Sequence, residues 1–344
     1  MEKSAKQIVL ITGVNGILGQ ELASSLAKLG KYDLLGLDMV DPSENIKPLL
    51  SQFFKTSVLQ KSQIQSIFSK LKISKVFHLA GVLAGDAERE PEKAEALNSG
   101  GTAVMLEVTN DYAIREKRGI KFIFPSTIAV YGFPDLKTKT QNSVVTEEEF
   151  LNPITMYGIN KLYCENLGVY YSKYYKMLEP DVKRLLDFRC VRFPGLMSAL
   201  TIPTGGTSDY GAEMIHTAAQ GQNYESFVRE DAVLPFMVMP DAIKALITLA
   251  EADKSKLTRF VYNVTSFSIN AKEIADIVLK VFPDTAIDYN PHPERQKIVD
   301  SWPAGVDDST ARKDWGWSPD FDVNKAFNGY LIPEIRNKYA TQKA

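Results

Sequence analysis

Near the N-terminus, a short apolar strand passes through a glycine-rich loop into an amphipathic helix. The candidate strand Ile8–Thr12 is followed by TGVNGILG, and the next helix ends at Gly30, a residue typical of helix C-termini. Four leucines lie on one face of that helix: Leu18, Leu22, Leu26 and Leu29. A strand that turns tightly into a helix opens a βαβ unit, so the pattern favours a parallel sheet with crossover helices.

The first two hundred residues repeat this alternation of short apolar runs and helical stretches. Five runs are candidate strands: Ile8–Thr12, Leu34–Asp38, Val76–Ala80, Phe122–Ser126 and Phe188–Phe193. We therefore predict an α/β fold, a Rossmann-type doubly wound parallel sheet. In such sheets ligands bind at the carboxyl ends of the strands.

The glycine loop and the end of the second strand predict a dinucleotide site. Gly13 permits the tight turn, Gly16 lets a pyrophosphate approach backbone N–H groups at the helix start, and Gly19 allows close helix–strand packing. Asp38 follows about twenty residues later, where a carboxylate can accept hydrogen bonds from ribose hydroxyls. A 2′-phosphate there would meet like charge, so NAD is favoured over NADP. A flexible loop, and an Asp38 that caps the next turn, are the alternatives.

The second half of the chain predicts a smaller C-terminal lobe for the substrate. After Pro194 the pattern loosens, and PTGGTSDYG (203–211) is typical of a loop. Further candidate elements are helices at 212–220, 241–252 and 271–281 and a strand at 260–264. We predict an NAD-binding domain of residues 1–196, to which 236–264 return, and a substrate-binding lobe of residues 197–235 and 265–340.

Composition and charge argue against several other classes. The chain has 344 residues, a net charge of −2 and no apolar run of the ~18–20 residues that a membrane span needs. We expect a soluble protein with neither nucleic acid nor membrane as a partner. Cys164 and Cys190 are too few for a disulfide framework and indicate a reducing compartment. Three scattered histidines indicate no metal site.

A tyrosine and a lysine lie four positions apart in MYGINK (156–161). On a helix such positions share one face, with Cβ atoms about 5–6 Å apart. Free tyrosine has a pKa of about 10 and is too weakly ionised to act as a base at neutral pH, but an adjacent ammonium lowers that pKa. Tyr157 and Lys161 are therefore a candidate proton-transfer pair, with a simple packing contact as the alternative. Ser126 and Thr127, at a strand's carboxyl end, can orient a substrate oxygen or form a local turn.

These motifs together resemble the extended short-chain dehydrogenase/reductase family. The shared features are TGxxGxxG, an acidic end of the second strand, the run from Thr127 to Tyr131-Gly132, YxxxK and a Pro-Gly after the sixth strand. The resemblance implies that Thr127 orients the substrate, Tyr157 is the acid/base and Lys161 activates it. The cofactor contacts that we predict are Gly13, Asn15, Gly16, Ile17, Leu18, Gly19, Asp38, Val58, Leu79, Ala80, Gly81, Asn98, Tyr157, Lys161, Pro194 and Leu196.

A finer resemblance lies in the second half. PTGGTSDYGAEM (203–214), LPFMVMPDA (234–242), YNVTSFS (262–268) and RQKIVDSWPAGVDDSTARKDWGW (295–317) are similar to the short-chain type of L-threonine 3-dehydrogenase. This resemblance implies NAD-dependent oxidation of the L-threonine 3-hydroxyl to 2-amino-3-oxobutanoate. The substrate contacts that it implies are Ala84, Ser126, Thr127, Tyr157, Thr207 and Trp302. Ala84 stands where the family has a serine, and Ser57-Val58 where an acidic residue near the adenine is usual.

The family resemblance also bears on assembly and location. Its members usually pair through flanking helices, one of which carries YxxxK, so a homodimer is expected. Only seven residues precede the first apolar run, so no targeting segment is expected, and the cytoplasm and the mitochondrial matrix both stay open. An extra segment between Tyr171 and Phe188 is expected to be a surface feature or part of an interface.

Two other functions stay open at this point. A nucleotide-sugar epimerase or dehydratase of the same fold needs cations for the substrate diphosphate, and Arg229 or Arg295 are candidates. A non-catalytic NAD-sensing protein would need neither Tyr157 nor Lys161, and both are present.

Overall fold

A seven-stranded parallel sheet forms the centre of the molecule. The computed structural model describes residues 6–203 and 206–340. In these residues the strands are β1 (Gln7–Thr12), β2 (Tyr32–Asp38), β3 (Gln52–Lys55), β4 (Ile73–His78), β5 (Ile120–Thr127), β6 (Val144–Val145), β7 (Leu186–Phe193), β8 (Gly195–Met197), β9 (Tyr224–Ser226), β10 (Val233–Val238), β11 (Val261–Asn263), β12 (Phe267–Asn270), β13 (Ile287–Tyr289) and β14 (Gly305–Val306). The large sheet has the order β11-β7-β5-β4-β1-β2-β3, and its strand pairs are all parallel. The order reverses beside β1, where a crevice opens at the carboxyl ends of the strands.

The predicted doubly wound α/β fold is confirmed, and the five predicted strands all lie in this sheet. The third of them, which is β4, ends earlier than predicted, at His78, so Leu79 and Ala80 belong to the loop beyond it. The strand predicted at 260–264 is β11, which pairs with β7. The strand β3 was missing from the five candidates, because this edge strand is only half-buried at its centre and exposed at both ends.

Helices cover both faces of the sheet. They are α1 (Ile17–Lys28), α2 (Lys61–Lys70), α3 (Ala84–Arg89), α4 (Pro91–Ala94), α5 (Gly101–Arg115), α6 (Leu136–Gln141), α7 (Met156–Val169), α8 (Tyr210–Ala219), α9 (Met239–Glu251), α10 (Ala271–Val281), α11 (Pro293–Ser301), α12 (Ser309–Trp315), α13 (Val323–Ala326) and α14 (Ile332–Ala340). Three π-helical turns join α4 to α5, follow α7 and join α13 to α14, and three short 3-10 helices lie at Lys47–Leu49, Ile128–Val130 and Lys254–Lys256.

The alternation of side chains along β1 divides the core between the two faces. Val9 and Ile11 pack with α1 and α9, whereas Leu10 packs with α2, α5 and α7. The leucine face of α1 is shorter than predicted: Leu22 and Leu26 are buried, but the helix ends at Lys28 and Leu29 is 48% exposed. Gly30 has a φ of 67°, as its place just beyond the helix requires.

A smaller lobe lies over the carboxyl edge of the sheet with its own apolar core. Its three-stranded sheet has the order β12-β10-β8, and α8, α10, α11 and α14 contribute to the core. Between these elements, α9 packs against α1 and β11 pairs with β7, so the chain returns to the large sheet. The residue boundaries given above for the NAD-binding domain and the substrate-binding lobe stay a prediction.

The extra segment between Tyr171 and Phe188 lies on the surface. It begins in the π-helical turn Tyr170–Tyr174, and Tyr171 stacks on Tyr175 with ring centroids 5.1 Å apart. Leu178 is 97% exposed. Among the described residues, no helix is both long and apolar enough to cross a membrane.

Candidate active site

The glycine loop leaves a groove at the start of α1. Gly13 has a φ of 68°, and a Cβ there would lie 2.7 Å from the backbone of Ala80. A Cβ on Gly19 would lie 2.3 Å from the Gly13 carbonyl oxygen, so α1 packs directly on the loop. Gly16 is the N-cap of α1 and offers no side chain to the first turn. The N-terminal N–H groups of a helix left in this way favour an anion such as a pyrophosphate.

A cleft of about 330 Å³ opens beside this loop. Eight predicted cofactor contacts line it: Gly13, Asn15, Gly16, Asp38, Val58, Leu79, Ala80 and Gly81. Five residues that sequence reasoning missed also line it: Leu37, Met39, Val40, Thr56 and Leu97. The cleft is of the size and mixed polarity that small-molecule sites have. Ile17, Leu18, Gly19, Asn98, Tyr157, Lys161, Pro194 and Leu196 are not among its lining residues.

Asp38 holds the turn that closes the cleft on one side. Its carboxylate accepts hydrogen bonds from the backbone N–H groups of Met39 (2.7 Å) and Asn15 (3.0 Å). The Asn15 side-chain amide donates to the carbonyl oxygens of Val40 and Asp41. Asp38 therefore caps the next turn and also faces the cleft. Its contact with the ribose of a cofactor stays a prediction. A carboxylate oxygen has further lone pairs for ribose hydroxyls.

Asn98 fixes the loop that follows β4. It is buried, its Oδ1 accepts from the Val82 N–H (2.7 Å), and its Nδ2 donates to the Val82 carbonyl (3.1 Å). A Cβ on Gly81 would lie 2.9 Å from the Asn98 Oδ1. The side chain predicted to contact the cofactor thus shapes the cleft wall at Gly81.

Two hydroxyl side chains stand at the carboxyl end of β5. Thr127 Oγ1 accepts from the Ala129 N–H (3.1 Å) and so caps the short helix Ile128–Val130. Its hydroxyl hydrogen remains available to donate. The Ser126 hydroxyl is buried and has no hydrogen-bond partner among the described residues. Such a group usually meets a ligand or a water.

The helix α7 brings the tyrosine–lysine pair to this strand end. Thr155 caps it, since Thr155 Oγ1 accepts from the Gly158 N–H (3.1 Å). A Cβ on Gly158 would lie 2.0 Å from the Ala129 carbonyl oxygen, so the first turn of α7 contacts the turn after Thr127. Lys161 Nζ donates to the Pro125 carbonyl (2.8 Å) and lies 5.6 Å from the Tyr157 ring centroid.

Burial dominates the acid–base properties of this pair. Burial raises the pKa of Tyr157 to about 12 and lowers the pKa of Lys161. The prediction that the phenol's pKa lies below its ordinary value is therefore wrong for the protein alone, because burial acts on it and raises that pKa. The Tyr157 hydroxyl has no hydrogen-bond partner within the described part of the chain, and Lys161 keeps two N–H donors beyond its bond to Pro125.

The segment after β7 and the loop before α8 approach each other. Pro194 is buried, and Leu196 lies half-buried on β8 opposite Met237. A Cβ on Gly195 would lie 3.3 Å from the Ser208 Cβ. Thr207 is thus next to a residue that contacts the predicted nicotinamide end. Thr204 and Gly205 of the predicted substrate loop lie outside the described residues.

The segment that carries Trp302 is tied to the turn after Tyr131. The Phe133 N–H donates to the Ser301 carbonyl (2.8 Å). Trp302 is buried in the core of the smaller lobe, against which Tyr157 also packs. Ala84 begins α3, and Glu88 of the same helix accepts a hydrogen bond from the Met156 N–H (2.7 Å). Glu88 was not predicted from the sequence, because it is 68 residues away from Met156 and no local pattern links the two.

The two arginines considered for a substrate diphosphate are engaged elsewhere. Arg229 forms two hydrogen bonds with the Asp300 carboxylate (2.9 and 3.0 Å) and a third with Asp231. The Arg295 guanidinium stacks 3.1 Å from the Phe227 ring centroid and donates to the Gly206 carbonyl. The residues 6–203 and 206–340 contain no group of three or more His, Cys, Asp or Glu side chains placed to hold a metal ion.

The doubly wound fold, the glycine loop and the helix that carries YxxxK are together typical of nucleotide-dependent enzymes. A comparison with protein families agrees. The chain belongs to the NAD dependent epimerase/dehydratase family, whose model matches residues 9–265. Membership of this extended short-chain family, predicted from the motifs, is confirmed.

Within that family, several similar proteins are named as L-threonine dehydrogenases. The mitochondrial L-threonine 3-dehydrogenase of Bos taurus is 35% identical over 319 residues, which cover 92% of this chain and 80% of the bovine protein. An L-threonine dehydrogenase structure from Clostridium difficile has a TM-score of 0.83 at 32% identity and covers 98% of this chain and 99% of its own. A monomeric L-threonine 3-dehydrogenase from a metagenome has a TM-score of 0.82 at 32% identity, covering 96% and 99%.

Proposed function

We propose that this chain is an NAD-dependent L-threonine 3-dehydrogenase, which oxidises the 3-hydroxyl of L-threonine to 2-amino-3-oxobutanoate. The observation that carries the proposal is the meeting of Thr127 with the Tyr157–Lys161 pair at one sheet edge, where Gly158 contacts Ala129. The glycine-lined cleft and the similarity to L-threonine dehydrogenases over nearly the whole chain support it.

The cofactor fits the residues that are present. The groove over Gly13 and Gly16 suits the pyrophosphate, and Asp38 suits the ribose hydroxyls of NAD. Val58, Leu79, Ala80 and Gly81 would border the adenosine half. Ile17, Leu18 and Gly19 would supply the helix start, Asn98 would hold the loop at Gly81, and Pro194 and Leu196 would border the nicotinamide. When bound, NAD would supply the hydride acceptor for the oxidation and the positive charge of its oxidised ring.

The chain's own residues move and hold the proton. Tyr157, as the phenolate, takes the proton of the threonine 3-hydroxyl while C3 loses its hydride, which leaves the ketone. An ammonium on Lys161, whose Nζ lies 5.6 Å from the Tyr157 ring centroid, would favour the phenolate. Thr127 donates its hydroxyl hydrogen to the substrate oxygen and so aligns it with Tyr157.

Substrate contacts gather around this point. The unpaired Ser126 hydroxyl offers a polar contact from the strand end. Trp302 and Thr207 would close over the amino acid from the smaller lobe. Ala84 offers no hydroxyl, so a neighbouring polar group would take the place of that contact.

The test is NADH formation with purified protein and a panel of hydroxy amino acids. We expect L-threonine to be turned over well above L-serine, with NAD preferred to NADP. UDP-glucose is the control for the epimerase alternative. Absence of turnover on threonine, or saturable UDP-glucose binding, would count against the proposal.

A homodimer is also part of the proposal. Ile159, Tyr163, Tyr170 and Tyr174 recur at helical spacing along α7 and the turn after it, and each is between 39% and 50% exposed. An exposed apolar face of this kind fits a partner helix. Light scattering should give twice the 38.4 kDa chain mass, and Tyr163→Glu should give monomers. A monomeric wild-type protein would contradict it, as would a dimer unaffected by the substitution.

The compartment that we propose is a reducing one, either the cytoplasm or the mitochondrial matrix. Cys164 and Cys190 are buried and free, and the bovine relative is named as mitochondrial. Fractionation of source cells would distinguish the two compartments, and recovery from an oxidising compartment would contradict both.

A further inference from the structure

A buried ion pair connects the predicted catalytic helix to the central sheet. Glu165 lies on α7 four residues beyond Lys161, so Tyr157, Lys161 and Glu165 follow one another along one face. The Arg192 guanidinium on β7 donates to both Glu165 carboxylate oxygens, at 2.9 and 2.6 Å. Both side chains are 3% exposed. This two-point geometry fixes the direction of the pair as well as its distance.

The same guanidinium holds the segment that carries Thr127. Arg192 Nη1 donates to the Tyr131 hydroxyl (3.0 Å) and to the Glu147 carbonyl (2.7 Å). Tyr131 in turn donates to Asn263 Oδ1 (2.7 Å) on β11. The Tyr131 N–H donates to the Ile128 carbonyl and closes the short helix that Thr127 caps. One side chain therefore joins α7, the turn after Thr127 and two neighbouring strands.

We propose that Glu165 and Arg192 are a positioning pair for the catalytic residues, which sets where Tyr157 and Lys161 stand relative to Thr127. The inference rests on the proposed dehydrogenase function and assigns it two residues that touch neither substrate nor cofactor. A well-packed apolar pair would fill the same space without the desolvation cost of two charges, so stability alone does not explain the pair. What the charges add is a fixed geometry between three segments.

The pair also controls the charge around Lys161. The groups that interact electrostatically with this buried amine are Cys164 and Glu165 on its own helix, Cys190 on β7 and His78 on β4. Burial lowers the pKa of His78 to about 3 and raises that of Cys190, so these two are neutral near pH 7. Glu165 is the carboxylate among them, and its charge favours the ammonium form of Lys161.

The alkaline limb of the kcat–pH profile is the fall in kcat as the Lys161 ammonium loses its proton. Opposite charge changes beside Lys161 should therefore move this limb in opposite directions. Glu165→Gln removes the negative charge that favours the Lys161 ammonium, so the ammonium loses its proton more easily and the limb moves to lower pH. Arg192→Gln leaves Glu165 unpaired, so the limb moves to higher pH. A purely structural pair would not shift the limb in two directions.

The experiment measures kcat and KM for L-threonine from pH 6 to 10, the NAD dissociation constant by calorimetry, and the unfolding midpoint. We expect kcat to fall by about tenfold or more in both variants, with the KM for threonine and the NAD dissociation constant within about threefold of wild type. Asp187→Asn is the matched control. Asp187 pairs with Arg189 on the same strand, and Arg189 donates to the last turn of α9. Loss of the Asp187 charge should therefore lower the unfolding midpoint and leave the alkaline limb of the pH profile in place.

A double variant keeps the inference testable if the single variants fail to fold. Glu165→Met with Arg192→Met replaces the ions with apolar chains of similar length and should fold. We expect it to bind NAD while kcat falls by about tenfold. Full activity in this variant, or alkaline limbs that move in the same direction in the two single variants, would overturn the inference. A wild-type protein without threonine turnover would instead overturn the proposed function.

Discussion

At the scale of single residues, burial decides the chemistry of the candidate site. Tyr157 and Lys161 stand in the predicted spacing, but the protein environment favours the neutral form of each. The phenol therefore needs positive charge beside it before it can act as a base. A bound oxidised nicotinamide and the Lys161 ammonium are the two sources that the proposed mechanism provides.

Replacement of Tyr157 by phenylalanine tests the proposed base directly. We expect kcat to fall by a factor of about 10² to 10⁴, because the general base is lost. The NAD dissociation constant should stay within about threefold, since the ring itself is retained. Tyr163→Phe, six residues further along the same helix and half-exposed, is the matched control and should keep wild-type turnover. Undiminished turnover in Tyr157→Phe would refute the role.

The pH dependence follows from the raised pKa of Tyr157. Only the phenolate acts as a base, so kcat/KM for threonine should rise with pH across the neutral range, until loss of the Lys161 ammonium ends the rise and sets the alkaline limb. The slope should approach about tenfold per pH unit at the acidic end, as one ionisation requires. A flat profile between pH 6 and 9 would contradict a buried phenol as the base.

At the scale of elements, the contact between α7 and the turn after Thr127 depends on a glycine. Gly158→Ala would place a Cβ 2.0 Å from the Ala129 carbonyl oxygen, so α7 must move. We expect a loss of about 1–3 kcal/mol in the free energy of unfolding, together with reduced kcat. Gly329→Ala is the control, because its Cβ meets nothing within 4 Å. Equal stability and turnover in the two variants would show that the contact does not position α7.

The C-terminal end of α9 is held by several charged side chains. Arg189 donates to the carbonyls of Leu249 (2.6 Å) and Ala252 (2.8 Å), and Lys121 donates to that of Ala250. Cations at this end of a helix are favourable, because the last carbonyls lack partners and the dipole is negative there. These contacts explain why a helix from the C-terminal half packs firmly on the large sheet.

Glu251, at the end of this helix, makes stability depend on pH. Burial alone would raise its pKa, but hydrogen bonds from Tyr32, Lys75 and Lys31 lower it to about 2. The stabilisation is therefore present above the unfolded-state pKa and is lost as the pH falls from about 4.5 towards 2. Glu251→Gln should cost less than about 1 kcal/mol at pH 7, because the side chain is over a third exposed. Denaturant unfolding of wild type and Glu251→Gln should show a difference in the free energy of unfolding that becomes smaller below pH 4. A difference that stays constant with pH would contradict this.

Five strands of the large sheet and the helix at 271–281 in the smaller lobe could be predicted because their local patterns match their burial. The helix predicted at 271–281 is α10 with the same bounds, where Asn270 and Glu273 form a capping box. The tertiary partners could not be predicted. Lys161 meets the carbonyl of Pro125, and Glu165 meets Arg192, across separations that no local pattern encodes. Met39 and Val40 line the cleft only because β2 and its turn face the glycine loop.

At the scale of the whole molecule, the predicted site lies between a dinucleotide-type sheet and a lobe with its own core. Three apolar clusters hold the two faces of the sheet and the smaller lobe. Segments from both halves of the chain meet, since the residue before Trp302 is tied to Phe133, and Tyr157 packs against the core that contains Trp302. In the proposed function, the large-sheet part would hold the cofactor and the smaller lobe would select the substrate.

Cofactor binding should stabilise the whole molecule by linkage. At a free NAD concentration of about one hundred times the dissociation constant, the free energy of unfolding should rise by about 2.7 kcal/mol. NADP should raise the unfolding midpoint less, because its 2′-phosphate meets Asp38. Asp38→Ala should reduce the rise in unfolding midpoint that NAD causes. It should also bring the midpoints with NAD and with NADP closer together. Equal stabilisation of wild type by NAD and NADP would contradict the role of Asp38.

The central claim is that hydride leaves C3 of threonine within this site. The most direct measurement uses L-threonine deuterated at C3, with NAD and the purified enzyme, followed by mass spectrometry of the nucleotide. The proposal predicts reduced nucleotide one mass unit heavier, formed together with 2-amino-3-oxobutanoate and lost in Tyr157→Phe. Reduced nucleotide without deuterium, or no reduced nucleotide at all, would contradict it.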